Sequence, residues 1–383
     1  MKNKSIGIIT FPINKNGVIP LTNLVEIVTK LCPKTYLITG KEGYTKFQND
    51  QRLNVFNITH TDAHNIAIRT YKYILIQIQI SRIIIASKDD VSKWIFFIGG
   101  SSLIIPLLTA KIMGKKTYLL LAGSEKKGAD IAYSFLSFPL KLLVGTGYSV
   151  TDNIIVYSKS LIESWNLVKY QNKILIAHEH FLDFNFFKTT TPLNNRPPLI
   201  GFIGTLSEVK GIQNFTKALP RIIRESHDLN VLICGNGPLR EEIEQFLQNE
   251  GLLGHVNLPG WISHDDLPKY LNQLQLLILP SYSEGLPNVI LEAMACGTPV
   301  LATPVGAIPD IIIDGKTGFI MESNAPECIA ENIKRALNSR DLEKIVVNEK
   351  KLLETFTFEM TVNKWKRVLE LDHVESKFKK FDA

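Results

Sequence analysis

PSYSEGLPNVILEAMACGTPV (280–300) is the stretch of this 383-residue chain that decides the fold. The run before it, LQLLILP (274–280), is short, apolar and ends in Pro, the pattern of a strand buried in a parallel sheet. The part after it, VILEAMA, has helical patterning and stops at Gly297, with Pro299 just beyond. The segment therefore reads as strand, loop, helix. Glu284 falls in the loop and Glu292 about two turns into the helix. A loop that leaves the carboxyl end of a parallel strand and feeds a helix is where open α/β sheets bind ligands. The helix N-terminus offers N–H groups and partial positive charge to a phosphate. Two carboxylates, one in the loop and one on the helix, suit hydroxyls such as those of a sugar and a ribose.

Both halves of the chain alternate short apolar runs with amphipathic helical stretches, which predicts parallel sheets with crossover helices and an α/β class. The strand candidates in the first half are 5–11, 34–40, 93–99, 117–123, 153–158 and 173–177. In the second half they are 198–204, 229–235, 255–260, 274–280 and 298–303. FNFFKTTTPLNNRPPL (184–199), rich in Thr, Asn and Pro, reads as a linker.

The composition, 45% apolar and 21% charged, is that of a globular chain with a sizeable core. Cys32, Cys234, Cys296 and Cys328 are far apart, so neither a disulfide framework nor a metal spacing is expected. Isolated thiols of this kind favour a reducing, cytoplasmic setting. The first apolar run is too short for a signal peptide, and no uninterrupted run reaches the ~18 residues of a membrane span. Charge is divided unevenly. Residues 1–188 carry 23 Lys/Arg against 12 Asp/Glu, a net +11, and residues 189–383 carry 20 against 25, a net −5. A basic half suits an anionic partner such as a lipid surface or an acidic acceptor. Nucleic acid is not expected, because no basic and aromatic platform or recognition motif accompanies the charge.

SEGLPNVILEAMACGTPV resembles the Glu-x7-Glu signature of the family 4 retaining glycosyltransferases. The likeness continues in order through four more segments. GFIGTLSEVKGIQNFTKAL (201–219) resembles the family's Gly-Arg-Leu … Lys-Gly segment, and LNVLICGNGP (229–238) its Gly-x-Gly-Pro turn. HVNLPGWISHDDLPKYL (255–271) resembles its base-binding strand and the helix after it, and TPVGAIPDIIIDGKTGFIM (303–321) the next loop and strand. The resemblance is strong over residues 199–325 and weak in the first half. It implies a GT-B fold, two Rossmann-like parallel-sheet domains facing a central cleft. Residues 1–188 would bind the acceptor and 189–355 the nucleotide sugar, with a helix in 356–383 crossing back to the first domain.

The same resemblance assigns roles to residues of this chain. Lys210 would contact the donor diphosphate as the charge departs, and Glu284 the hydroxyls of the transferred sugar. Glu292 would hold the ribose. Backbone N–H groups of Leu286, Asn288 and Val289 would hold phosphate, Pro287 having none to give. Gly285 would let the backbone approach, as would Gly235 and Gly237 around Asn236. Trp261 would lie near the nucleobase or else be a packed aromatic. Gly306, Ala307 and Asp310 match the next loop. Lys210 opens a helix in this reading, a position unfavourable for a cation unless an anion is close. Where the family usually has Arg, five residues before the Lys, this chain has Thr205, which has a hydroxyl but no charge. No Asp-x-Asp pair or His/Cys cluster appears, so no metal and no further cofactor is implied.

The first half is less legible. Gly17, in FPINKNGVIPL, takes the place of the family's glycine loop after the first strand. The loops Gly99-Gly100-Ser101 and Gly123-Ser124-Glu125 lack the His that many relatives carry near the reacting sugar. His178 and His180 fall where the family has an Asn-Gly-Val-Asp turn. Two very apolar stretches, 65–87 and 131–150, are each interrupted by single polar or basic residues, with Lys111, Lys115, Lys116, Lys126, Lys127 and Lys141 around them. They read either as helices buried against the sheet or as an amphipathic face that touches an anionic membrane. The chain is thus expected to be a metal-independent retaining hexosyltransferase. It would use a nucleotide sugar and a glycan or lipid-linked acceptor, in the cytoplasm or peripherally on the inner membrane face. Two alternatives stay open: a nucleotide-sugar epimerase of the same fold, and a catalytically silent subunit that binds a glycan or a partner.

Overall fold

The computed structural model describes residues 5–59, 65–123 and 137–370. The described chain forms two compact α/β units, one running to Phe181 and resuming at Phe358, the other spanning Leu182–Thr357. The linker expected at 184–199 is thus part of the second unit. Phe187 is buried there, and Phe186 and Phe187 both pack on His264. Apolar rings in the segment outweigh its Pro- and Thr-rich composition.

The first unit is built on seven parallel strands: β1 (Ser5–Thr10), β2 (Thr35–Thr39), β3 (Leu53–Asn57), β4 (Val91–Phe97), β5 (Lys116–Leu120), β6 (Asn153–Val156) and β7 (Ile174–Ile176). Their order in the sheet is β3-β2-β1-β4-β5-β6-β7. The central strands β1 and β4 are almost wholly buried, as continuous apolar runs require when helices cover both faces. Strand β3 was not expected. LNVFN sits at the sheet edge, half-buried, with an Asn at position two and another at five, so it shows neither an apolar run nor an alternation. The helices are α1 (Lys15–Leu31), α2 (Glu42–Phe47), α3 (Ile66–Ala86), α4 (Ile104–Ile112), α5 (Ser137–Val150) and α6 (Ser160–Ser164). Ser124, Glu125, Lys126, Lys127 and residues 131–136 lie outside the described residues, as does the tail beyond Glu370.

The helix Phe358–Glu370 completes this unit. Trp365 is fully buried and its Nε1 donates to His178 O at 2.8 Å, while Thr361 Oγ1 donates to His180 O at 3.1 Å. His178 and His180 are themselves buried. Between them, Glu179 is fully enclosed and accepts from Tyr157 Oη at 2.6 Å. Loss of solvent pushes the Glu179 carboxyl up to about 7, and burial pushes His178 down to about 3. The segment is a buried seam that anchors the C-terminal helix.

The second unit has six parallel strands: β8 (Leu199–Ile203), β9 (Asn230–Cys234), β10 (Val256–Gly260), β11 (Leu276–Leu279), β12 (Val300–Ala302) and β13 (Phe319–Ile320), in the order β10-β9-β8-β11-β12-β13. Its helices are α7 (Ile212–Glu225), α8 (Arg240–Asn249), α9 (Leu267–Leu271), α10 (Asn288–Ala295), α11 (Ile308–Ile311), α12 (Pro326–Leu337) and α13 (Leu342–Leu353). Phe202, Phe215, Leu219, Val231, Ile278 and Ile333 lie in one core that joins the sheet to its helices.

Strand order reverses between β8 and β11, which pair directly through Leu276 with Ile200 and Leu277 with Gly201. The loops leaving these two neighbours must part in opposite directions, which opens a crevice at the carboxyl end of the sheet. A buried cation fixes this region from beneath. Arg196 donates to the carbonyls of Leu274 at 2.7 Å and Cys296 at 2.6 Å, and to Thr298 Oγ1 at 2.7 Å. It thereby holds the last turn of α10 to the entry of β11.

Candidate active site

The crevice residues come from the two loops named by the strand order. After β8, Glu208–Lys210 forms a single 3-10 turn and Gly211 turns left-handed, φ 67°, before α7 begins at Ile212. Lys210 therefore precedes the helix rather than opening it. A Cβ on Gly211 would lie 2.0 Å from Pro280 O, so only glycine lets this loop press on the loop after β11. The backbone joins them further, Tyr282 N donating to Val209 O at 2.8 Å.

This contact brings Lys210 to Glu284. Lys210 Nζ stands 2.6 Å from Glu284 Oε1 and 2.8 Å from Oε2. The Glu284 side chain is only 7% exposed and that of Lys210 27%. The anion that a lysine here requires is thus supplied within the protein by Glu284. Ser281 Oγ donates to the same Oε1 at 2.7 Å, and Thr303 Oγ1 fixes Ser281 by donating to its carbonyl at 2.6 Å. Ser281 was not singled out in the sequence, although its i, i+3 spacing to Glu284 was visible.

Helix α10 begins at Asn288 with Pro287 as its extended N-cap, so the N–H groups of Asn288 and Val289 belong to the first turn. Leu286 and Pro287 are buried, while Asn288 and Val289 are half-buried. Gly306, φ 63°, packs against the Glu284 loop so closely that a Cβ would lie 2.3 Å from Glu284 O. Ala307 N donates to Gly285 O at 2.8 Å. Asp310 is exposed one turn further on.

Glu292, the fifth residue of α10, is buried. Its Oε1 lies 3.3 Å from His264 Nε2. That hydrogen bond raises the His264 pKa above its ordinary 6.5 although partial burial opposes it. The His264 ring stacks on Phe186 at 5.8 Å and meets Phe187 edge-on at 5.2 Å. The histidine was not anticipated, since its partner is 28 residues away in sequence.

Thr205 is half-buried on the β8 loop. The Gly235-Asn236-Gly237 turn lies beside it, Leu206 N donating to Asn236 O at 3.0 Å. Trp261 is 72% exposed, which rules out the packed-aromatic reading. In the first unit, Gly17 lies inside the first turn of α1, its N–H donating to Asn14 O, and not in the loop expected there. Ile98, which follows β4, holds a strained φ of 36° just before Gly99, Gly100 and Ser101. No group of three His, Cys, Asp or Glu side chains is gathered as a metal set among the described residues.

The two loops and α10 coincide with the part of the chain that matches known proteins. The sequence pattern of the family described as "Glycosyl transferases group 1" matches residues 183–352. An uncharacterized glycosyltransferase of Methanocaldococcus jannaschii is 34% identical over 170 residues, 44% of this chain and 47% of that protein. N-acetyl-alpha-D-glucosaminyl L-malate synthase of Bacillus anthracis is 29% identical over 226 residues, 57% and 58% of the two chains. The matched region spans about half the length of the curated relatives. Among solved structures, HepE of Anabaena in complex with UDP has a TM-score of 0.74 at 14% identity, over 96% of this chain and 99% of that one. TarM of S. aureus, in complex with fondaparinux, alpha-GlcNAc-glycerol and UDP, has a TM-score of 0.72 at 12% identity, over 96% and 100%. At these identities the likeness establishes the fold, which is GT-B. Residues 183–352 of this chain thus carry the sequence pattern of the group 1 glycosyl transferases, on a GT-B fold.

Proposed function

We propose that the protein transfers a sugar from a nucleotide-sugar donor to a hydroxyl of a glycan or lipid-linked acceptor, with retention at the anomeric carbon as in family 4. The observation that carries this reading is the Lys210–Glu284 pair at the strand-order reversal, beside the first turn of α10. In this reading a donor diphosphate takes Lys210 from Glu284 and also meets the N–H groups of Asn288 and Val289. Glu284, released, accepts from hydroxyls of the transferred sugar. Glu292, held by His264, accepts from the ribose, and Trp261 offers its exposed face to the base. As the glycosidic bond of the donor breaks, negative charge grows on the departing diphosphate, and Lys210 with the α10 N-terminus stabilises it without a metal ion. The acceptor hydroxyl would approach from the same face through an oxocarbenium-like state, its oxygen bonding to the anomeric carbon as the bond to the diphosphate breaks and its proton passing to the departing diphosphate oxygen. Complexes of UDP with HepE and TarM support a nucleotide-sugar donor for this fold.

The experiment is a thermal-shift screen across UDP-, GDP- and ADP-sugars. A ligand at 100 times its dissociation constant stabilises by about 2.7 kcal/mol. The stabilising donor is then incubated with the purified chain, and free and transferred sugar are followed. Transfer or slow donor hydrolysis with a retained anomer supports the reading, and free epimerised sugar would replace it with an epimerase. Thr205 favours one other reading, a silent subunit, because losing an Arg beside a diphosphate removes up to a few kcal/mol of leaving-group stabilisation. Donor binding without any turnover would establish that reading.

A further inference from the structure

Helix α3 is apolar on both faces. Its inward face buries Ile76, Ile80 and Ile84 but also Gln77 and Ser81. Its outward face presents Tyr71, Ile74, Leu75, Ile78, Arg82 and Ile85, spaced by three and four residues as one stripe. Tyr71 is 63% exposed and Ile85 48%. The stripe is long, roughly 21 Å from Tyr71 to Ile85 at 1.5 Å per residue.

Helix α4 lies alongside. Gln77 Oε1 accepts from Ile105 N at 3.0 Å, which ties the two helices and explains why a polar side chain turns inward. The outward side of α4 adds Ile105, Leu108 and Ile112, the last 77% exposed. Contiguous apolar surface of this kind marks an interaction site.

We infer that the outward face of α3 and α4 docks on an anionic lipid surface, an inference that stands apart from the reading of the second unit. Charge selects lipid over other occupants. The sequences of α3 and α4 contain no Asp or Glu, whereas α3 carries Arg69, Lys72 and Arg82 in a half with net charge +11. A second copy would set Arg82 against its own image in a two-fold interface, with no carboxylate on either helix to pair with it. Among the described residues no helix is long and apolar enough to cross a membrane. The stripe therefore lies along the interface, its isoleucines in the acyl boundary and Arg82 at the headgroups.

The test is cosedimentation of the full chain with phosphatidylcholine vesicles, with and without phosphatidylglycerol, at low and high salt. The wild type is expected to pellet with the anionic vesicles only, and to be released in about 1 M salt, where screening shortens to about 3 Å. The triple variant Ile74→Ser, Leu75→Ser, Ile78→Ser should partition at least about tenfold less. The variant Ile78→Trp keeps the stripe apolar, and its fluorescence should be quenched by brominated lipid, which guards against misfolding of the triple variant. Wild-type protein left in solution with anionic vesicles, or an unquenched Trp, overturns the inference. So does a triple variant that changes only the oligomeric state, because that outcome assigns the face to a second copy.

Discussion

Glu284→Gln separates two jobs that the structure gives to one side chain. In the protein the carboxylate holds Lys210 through contacts of 2.6 and 2.8 Å and is itself oriented by Ser281. At an effective dielectric of 20, unit charges at this separation attract by about 6 kcal/mol before desolvation is subtracted. The net value of a hydrogen bond to a charged group is smaller, about 1.5–3 kcal/mol. Glutamine keeps the shape and one acceptor oxygen but removes the charge. A nucleoside diphosphate no longer competes with a carboxylate for Lys210, so its affinity should rise, by at most about 10- to 150-fold. The intact donor gains that advantage but loses the carboxylate that its sugar hydroxyls need in the transition state. The value of kcat/KM should therefore fall by a similar factor or more. Titration calorimetry with the nucleoside diphosphate and steady-state kinetics with the donor measure the two effects. If diphosphate affinity and kcat/KM fall together in a variant of unchanged melting temperature, Glu284 is only a brace for Lys210 and the sugar-binding role is wrong.

Lys210→Ala should lower kcat far more than donor affinity, because the charge it answers is largest as the diphosphate leaves; a change confined to KM would assign it to ground-state binding. Glu292→Ala should weaken donor binding by about 1.5–3 kcal/mol, and equal affinities by calorimetry would remove it from the ribose site. The same carboxylate raises the His264 pKa above 6.5, so the pair stabilises the fold fully below pH 6.5 and the contribution disappears as pH rises through the raised value. With His264 42% exposed the effect should stay below about 1 kcal/mol, visible as a pH slope in wild-type melting that His264→Gln lacks. Glu179 acts in the opposite sense to a paired surface acid. Its folded value of about 7 lies above the ordinary 4.5, so the native state holds the extra proton and stability falls as pH rises from 4.5 to 7. Protection factors of the His178–His180 amides, taken against the intrinsic exchange rate at each pH, should fall over that window in wild type and not in Glu179→Gln.

The sequence by itself determined the class of the fold and the identity of the main carboxylates. Runs such as LLIL and VLA can satisfy their backbones and their side chains together only in a buried parallel sheet, so alternation with helices is legible in the sequence alone. Glu284 and Glu292 were legible because their loop and helix are local to one segment, and Lys210 because its segment resembles a known one. Edge strand β3 was missed because a half-buried pairing leaves no periodic signal in LNVFN. Only the tertiary structure decided who meets whom. Lys210 and Glu284 are 74 residues apart in sequence, and His264 and Glu292 are 28 apart. The first contact exists because β8 and β11 are neighbours where the strand order reverses, and because Gly211 lets the two loops touch. The apolar stretch 65–87 was ambiguous for the same reason. Its composition is equal on both faces of α3, and which face is covered depends on the sheet it packs against, which no local pattern encodes.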